Sequence, residues 1–201
     1  MKNIPIPKNR CWDGTGGKVG EFTDENSLIA QWAKAVDSTE GLIKMCTEHI
    51  NKSMIGVEVG SFMGRSSEVI AFFCKELICV DPWDTACDIE NYLEISKERL
   101  IMAEGVFDEM TSRTKNIEKR KGFSLNCVKD FQDLTLDFVY IDGRHDYDSA
   151  MNDIVSWSKK VKDGGIISGH DFHIVNKVFK EIGVVAKSYS DSSWAYYKKL
   201  N

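Results

Sequence analysis

The sequence predicts an α/β protein built on a doubly wound, mostly parallel sheet of seven strands, with an antiparallel hairpin strand at its C-terminal end. Short apolar runs, each suited to a strand buried on both faces, alternate with longer amphipathic stretches of helical period. Two of these runs flank a glycine-containing turn and a helix, which is the order of a βαβ unit. The final two runs lie too close together for a crossover and predict a hairpin.

In chain order, residues 1–23 lack periodicity and predict a surface-wrapping segment that Trp12 could anchor. Residues 27–36 place Leu28, Ile29, Trp32, Ala33 and Val36 at helical spacing, behind the cap-like run Thr23-Asp24-Glu25-Asn26. Residues 39–50 repeat the pattern with Leu42, Ile43, Cys46 and Ile50, and leave His49 as a helix-surface residue. The first buried strand covers 54–59 and opens on the turn Gly60 to Gly64. A helix over 66–75, with Val69, Ile70, Phe72 and Phe73 apolar, leads to a strand over 77–80 that closes on Asp81-Pro82-Trp83. Residues 85–117 are helix-prone, with Leu93, Ile95, Leu100, Ile101, Val106, Phe107 and Met110 predicted inward. That is longer than a minimal crossover: 107–117 reads as plain crossover helix, whereas 87–103 serves equally as an extra helix or as a lid.

A short strand near 119–123 precedes a helix over 124–131. The strongest strand is 136–141, ending in Asp142-Gly143-Arg144-His145. Then come a helix over 149–161, a strand over 166–169 that stops at His170-Asp171, a helix over 174–182, and closing strands over 184–189 and 193–198. Residues 1–53 are read as an N-terminal segment and helices packing on a core domain of residues 54–201, a single domain in all.

With 201 residues and 42% hydrophobic content, the chain can bury one sizeable α/β core. A net charge of −5 argues against a general nucleic-acid or membrane binder, since either wants a basic face. The six cysteines include no C-x-x-C pair, and Cys74 and Cys79 sit in or beside apolar runs, which predicts buried reduced thiols. Neither a signal-like apolar core near the start nor a membrane-length apolar run occurs, so a cytoplasmic location is expected. The N-terminal helices could pair in a homodimer.

An open parallel sheet binds ligands beyond the carboxyl ends of its strands, at the point where strand order reverses. Four such ends carry polar residues: Gly60 to Ser66, Asp81 to Asp84, Asp142 to His145, and His170-Asp171. Gly60 and Gly64 permit a tight turn and close approach of a ligand, although a plain strand-to-helix turn would look the same. A helix starting near Arg65 aims free N–H groups at an anionic group, with the Ser66 hydroxyl beside them. Asp81 stands 21 residues after Gly60, where a carboxylate can accept from both ribose hydroxyls, and Trp83 could wall an adenine ring. Together these predict an adenosine-type ligand. NAD wants G-x-G-x-x-G for its pyrophosphate, and Phe62 stands where the second glycine would fall. Glu58, inside the strand end, can hold turn N–H groups or sit near a cationic amino-acid moiety, which suits S-adenosylmethionine (SAM) better.

The motifs Glu58-x-Gly60-x-x-x-Gly64, Val80-Asp81-Pro82-Trp83, Asp137 to Tyr147 and Gly164-Gly165-x-x-x-Gly169-His170-Asp171-Phe172 resemble a class I SAM-dependent methyltransferase with its Rossmann-like fold. Within that class the chain is similar to the small-molecule and sugar O-methyltransferase branch that includes the macrocin-type enzymes. The resemblance implies that Gly60, Ser61 and Gly64 pack against the methionine part of SAM, with Ser66 near its carboxylate. It implies Asp81 at the ribose, Trp83 at the adenine and Ser124 near the adenine edge, with Asp142 and Arg144 completing the pocket. Asp142 and His145 would line the methyl-transfer face.

A hydroxyl acceptor needs a general base or a divalent cation to lose its proton. His145 is the base by type. Asp142 and Asp171 offer hard oxygen ligands suited to Mg²⁺. Macrocin-type relatives use paired acids there, and His170 replaces one of them, which shifts the ligand set Asp142, His170 and Asp171 toward Mn²⁺ or Zn²⁺ or toward no metal. The expected function is therefore SAM-dependent methyl transfer to a hydroxyl of a small molecule, with a sugar as one candidate. The alternatives are an NAD-linked oxidoreductase and a SAM-binding protein without transfer activity.

Overall fold

The computed structural model describes residues 39–84 and 97–199. The expectations for residues 1–38 and 85–96, including Trp12, Cys11, Cys87, Leu93, Ile95 and most of the lid candidate, lie outside the described residues. Residues Glu40–Asn201 make one compact unit, to which the helix α1 (Glu40–His49) belongs.

The predicted βαβ unit is present as β1 (Ile55–Val59), α2 (Arg65–Phe73) and β2 (Glu76–Asp81). Helix α3 (Lys97–Thr111) crosses to β3 (Ile117–Lys121). A short helix α4 (Ser124–Cys127) and a 3₁₀ turn (Val128–Asp130) lead to β4 (Leu136–Ile141). Then follow α5 (Tyr147–Ser158), β5 (Val161–Gly169), α6 (Phe172–Ile182), β6 (Lys187–Ser188) and β7 (Trp194–Tyr197).

The seven strands run in the order β3-β2-β1-β4-β5-β7-β6, with β7 antiparallel to both neighbours. Strand order thus reverses between β1 and β4. Right-handed crossovers put α2 and α3 on one face of the sheet and α5 and α6 on the other. Helix α1 joins α2, and α5 packs on α6. Alternate strand residues divide between the faces: Val57, Val59, Val139, Ile141 and Ile167 pack with Ile154, Trp157, Val178, Phe179 and Trp194. Fully burying each large side chain of this kind is worth about 1.5–3 kcal/mol. Among the described residues no helix is long and apolar enough to cross a membrane.

Several boundaries moved for local reasons. β3 starts two residues early, at Ile117, because its IEKRK sequence is a charged edge strand that pairs Ile117 with Leu77. α5 starts at Tyr147 because the Asp146 carboxylate accepts from Ser149 N–H (2.9 Å) and caps it. Ile101, predicted inward, is 58% exposed, because the apolar stripe of α3 runs through Ala103, Val106 and Phe107. Cys46, Cys74, Cys79 and Cys127 are buried free thiols, as expected.

His49 is no plain surface residue. Its Nδ1 lies 2.9 Å from the Tyr197 hydroxyl and its Nε2 2.8 Å from that of Tyr189, which itself donates to Glu48. This clasp ties α1 to the C-terminal hairpin. The hairpin answers at the other end of α1: Asp191 accepts from Leu42 N–H (2.7 Å) and Ser193 N–H (2.9 Å), satisfying a free donor of the first turn. A Cβ on Gly41 would lie 2.0 Å from Asp191 Oδ1, so a side chain there displaces the carboxylate. Gly41→Ala and Asp191→Ala should each cost about 1 kcal/mol in urea unfolding, and the double variant little more than either alone. Full additivity would show that the two residues do not share the cap.

Candidate active site

The polar strand ends predicted from the sequence meet along the carboxyl edge of β1, β2, β4 and β5. At the end of β1 the chain turns at Gly60 (φ +88°), whose N–H donates to Val80 O at 2.8 Å. A Cβ there would stand 2.1 Å from the carbonyl oxygen of Asp142. This glycine is therefore demanded by the protein's own β4 backbone and not only by a ligand. Phe62 and Gly64 also have positive φ (44° and 82°), and Gly64 leads into α2. Ser66, in the first turn of α2, is half-buried.

Glu58 is wholly buried beneath this turn, where it accepts from the Ser67 hydroxyl and the Cys79 thiol (3.5 Å). Burial pushes its carboxyl above the usual carboxylate range, while the hydroxyls of Ser66, Ser67 and Ser61 pull it back. Ser61 is near enough to exert that pull yet makes no aligned bond. Glu58 Oε1 and Ser61 Oγ have no hydrogen-bond partner among the described residues. Buried polar atoms of this kind normally find one, so the turn has unused bonding capacity.

Asp81, at the end of β2, uses both carboxylate oxygens on backbone: Oδ2 accepts from Phe62 N–H (2.9 Å) and Oδ1 from Trp83 N–H (2.8 Å). Each oxygen retains a further lone pair. Burial raises this carboxyl, against the lowering effect of those two N–H groups. Trp83 (φ 42°) is 2% exposed; its indole N–H donates to Phe62 O (2.7 Å) and its ring meets Phe107 at 4.9 Å and the Lys119 ammonium at 4.9 Å. The indole thus braces the glycine turn from within. Ser124, just after β3, donates to Asp153 (2.5 Å) and accepts from the indole N–H of Trp157 (2.8 Å). Arg144 pairs with Asp146 (2.6 Å) at the start of α5.

The ends of β4 and β5 bring four titratable groups together. His145 Nδ1 lies 3.2 Å from Asp171 Oδ2 and its Nε2 lies 3.5 Å from Asp142 Oδ1. Asp171 Oδ2 is close enough for an ion pair without aligning as a hydrogen bond. His170 Nδ1 is 3.2 Å from Asp171 Oδ1 and 3.9 Å from Asp142 Oδ1. Asp171 sits in left-handed backbone (φ 56°), a strained conformation of the kind that gathers at functional sites. Burial pushes both imidazoles toward the neutral form, but the adjacent carboxylates outweigh it. His145 ends above its ordinary value, chiefly through Asp142, and His170 is raised to about 9, chiefly through Asp171. Burial raises Asp171, and the His170 hydrogen bond and nearby imidazoles lower it further than that.

The predicted ligand set is also assembled: Asp142, His170 and Asp171 each offer one donor atom, all within 4.8 Å of one another. His170 thus belongs to the same cluster as His145. Sequence reasoning missed Asp153 and the role of Asp171 as the hub between the two imidazoles. Asp153 did leave a signal, an acid within the apolar stripe Ala150, Ile154 and Trp157 of α5.

The family described as "Methyltransferase domain" matches residues 57–172, which carry all four strand ends. No curated protein matches the chain. Among solved structures, an rRNA methylase from Streptococcus thermophilus matches at TM-score 0.56 and 14% identity, over 80% of this chain and 95% of that one. A SAM-dependent methyltransferase from Aquifex aeolicus matches at 0.55 and 12%, over 83% and 96%. A putative methyltransferase from Streptococcus mutans, in complex with S-adenosylhomocysteine (SAH), matches at 0.54 and 10%, over 79% and 96%. Two longer matched chains are spanned only to 48% and 27% of their length. At these identities the structural likenesses speak to the fold.

Proposed function

The chain belongs to the methyltransferase-domain family, and on that premise we propose that it transfers the methyl group of SAM to a hydroxyl of a small acceptor molecule, a sugar among the candidates. One observation carries the reading: the backbones of Gly60 and Asp142 pack together, so the turn expected to hold the cofactor directly adjoins the Asp142–His145 cluster. The catalytic domain is taken as residues 54–201.

The residues present fit the cofactor. Glu58 and Ser61 keep unused bonding atoms at the turn. Gly60, Ser61, Gly64 and Ser66 would hold the methionine part, and the spare lone pairs of Asp81 would accept the ribose hydroxyls. Ser124 would face the base, and Asp142 and Arg144 would complete the pocket. Trp83 acts from inside by fixing Phe62. When bound, SAM supplies an electrophilic methyl group.

The chain's own work is to align the acceptor and take its proton. His145 is the base. Its Nδ1 is paired by charge with Asp171 Oδ2 at 3.2 Å without an aligned hydrogen bond, and the 3.5 Å contact of Nε2 with Asp142 Oδ1 is the one that an acceptor hydroxyl would replace. A base whose protonated form is stabilised by neighbouring carboxylates follows the general logic of activated nucleophiles. A second reading places a divalent cation on Asp142, His170 and Asp171, favoured by the 4.8 Å spread of their donor atoms. It would lower the pKa of an acceptor hydroxyl. Two carboxylates suit Mg²⁺, and the imidazole favours Mn²⁺ or Zn²⁺.

Thermal unfolding with added ligands tests the reading. SAM and SAH should raise the melting temperature, by the equivalent of about 2.7 kcal/mol at a hundredfold excess over Kd, and NAD should not. Stabilisation by NAD alone would overturn the proposal in favour of a dinucleotide enzyme.

A further inference from the structure

Asp153 is a carboxylate on the apolar face of α5, 6% exposed, and no lysine, arginine or histidine within 4 Å pairs with it among the described residues. Burying such a group is costly unless its bonds are well made. Its partner is the Ser124 hydroxyl, at 2.5 Å. That hydroxyl has one hydrogen and two lone pairs. The hydrogen goes to Asp153, and the indole N–H of Trp157, which can only donate, takes one lone pair at 2.8 Å. One lone pair remains. Any further partner of Ser124 must therefore be a donor.

The position of Ser124 gives that constraint a use. Gly122 N–H donates to Asp81 O at 3.0 Å, so the chain leaving β3 is tied to the ribose-binding strand end. On the other side, a Cβ on Gly143 would lie 3.2 Å from Asp153 Oδ2, which places Asp153 under the loop after β4. Ser124 is half-buried at the seam of these two loops, one strand beyond Asp81. On the SAM reading, the ribose lies on Asp81 and the edge of the base faces Ser124.

Resting on the SAM reading above, we propose that Asp153 is a positioning residue that fixes the polarity of Ser124, so that the site selects a base bearing a 6-amino donor and rejects a 6-keto acceptor. A 6-keto oxygen would face a lone pair and stay unpaired, the kind of mismatch that polar sites penalise most. As a carboxylate Asp153 accepts only. Burial, opposed by the Ser124 hydroxyl, pushes it up to about 6. An asparagine there could turn its amide to donate, freeing the Ser124 hydrogen for the ligand.

Titration calorimetry with SAH and S-inosylhomocysteine, on the wild-type chain, Asp153→Asn and Ser124→Ala, tests this. The wild type should prefer SAH by about tenfold or more, and both variants should bring the ratio to within about threefold of unity. A merely structural role would weaken both ligands together and leave the ratio intact. An unchanged ratio in Ser124→Ala overturns the proposal even where Asp153→Asn fails to fold. So does a wild type that binds both nucleosides equally. Binding of neither by the wild type removes the SAM reading itself, a separate and recognisable outcome.

Discussion

Replacing His145 with alanine should lower kcat by about 10²–10⁴-fold, the usual contribution of a positioned base, with SAH affinity changed by no more than about twofold. The wild-type rate should rise with pH through a midpoint above 6.5. His145 serves as base only when neutral, and although burial favours that form, Asp142 and Asp171 hold the imidazole protonated to higher pH. This acidic limb should vanish in the alanine variant. Wild-type turnover in that variant, or an acidic limb that survives in it, would remove His145 from the mechanism. Stability should follow the same groups. A histidine whose folded pKa is raised stabilises fully below its unfolded value and loses that contribution as pH rises through the folded one. For His170 the loss falls between about 6.5 and about 9.

Gly60→Ala should destabilise the fold by about 4 kcal/mol, a large part of the stability of an ordinary domain. Two costs add. A left-handed residue with a side chain pays about 1–2 kcal/mol in backbone strain. The new Cβ would also stand 2.1 Å from the Asp142 carbonyl oxygen and 2.7 Å from Gly143 Cα, both backbone atoms that cannot swing aside. Forced repacking of that sort costs about 1–3 kcal/mol. Urea unfolding measures the sum. A loss below about 1 kcal/mol would mean that β1 and β4 separate easily, and that the turn between them is not preorganised.

Much of the architecture can be read from the chain. The strands 136–141 and 55–59 are legible because each is a short apolar run with turn chemistry at its end, and the helices between them because apolar residues recur at 3.6-residue spacing. The polar strand ends are legible for the same reason, since a polar residue directly after a buried strand breaks a local pattern. β3 was displaced because its edge position lets it carry charge on both sides, which erases the apolar signal. Asp146 as a helix cap and Asp153 as an acid in an apolar stripe also carry local signals in the sequence.

Local spacing and hydropathy are enough to specify each strand, each helix and the polar residues at their ends, because they act over a few residues of backbone. They say nothing of which ends touch. That Gly60 is required by the Asp142 carbonyl, that His145 stands between two carboxylates, that His49 clasps the hairpin and that Asp153 governs Ser124 all depend on tertiary placement, over separations of up to 148 residues of chain. Those distances follow from sheet order, crossover hand and side-chain packing, which are properties of the assembled core and have no expression in any short window of sequence.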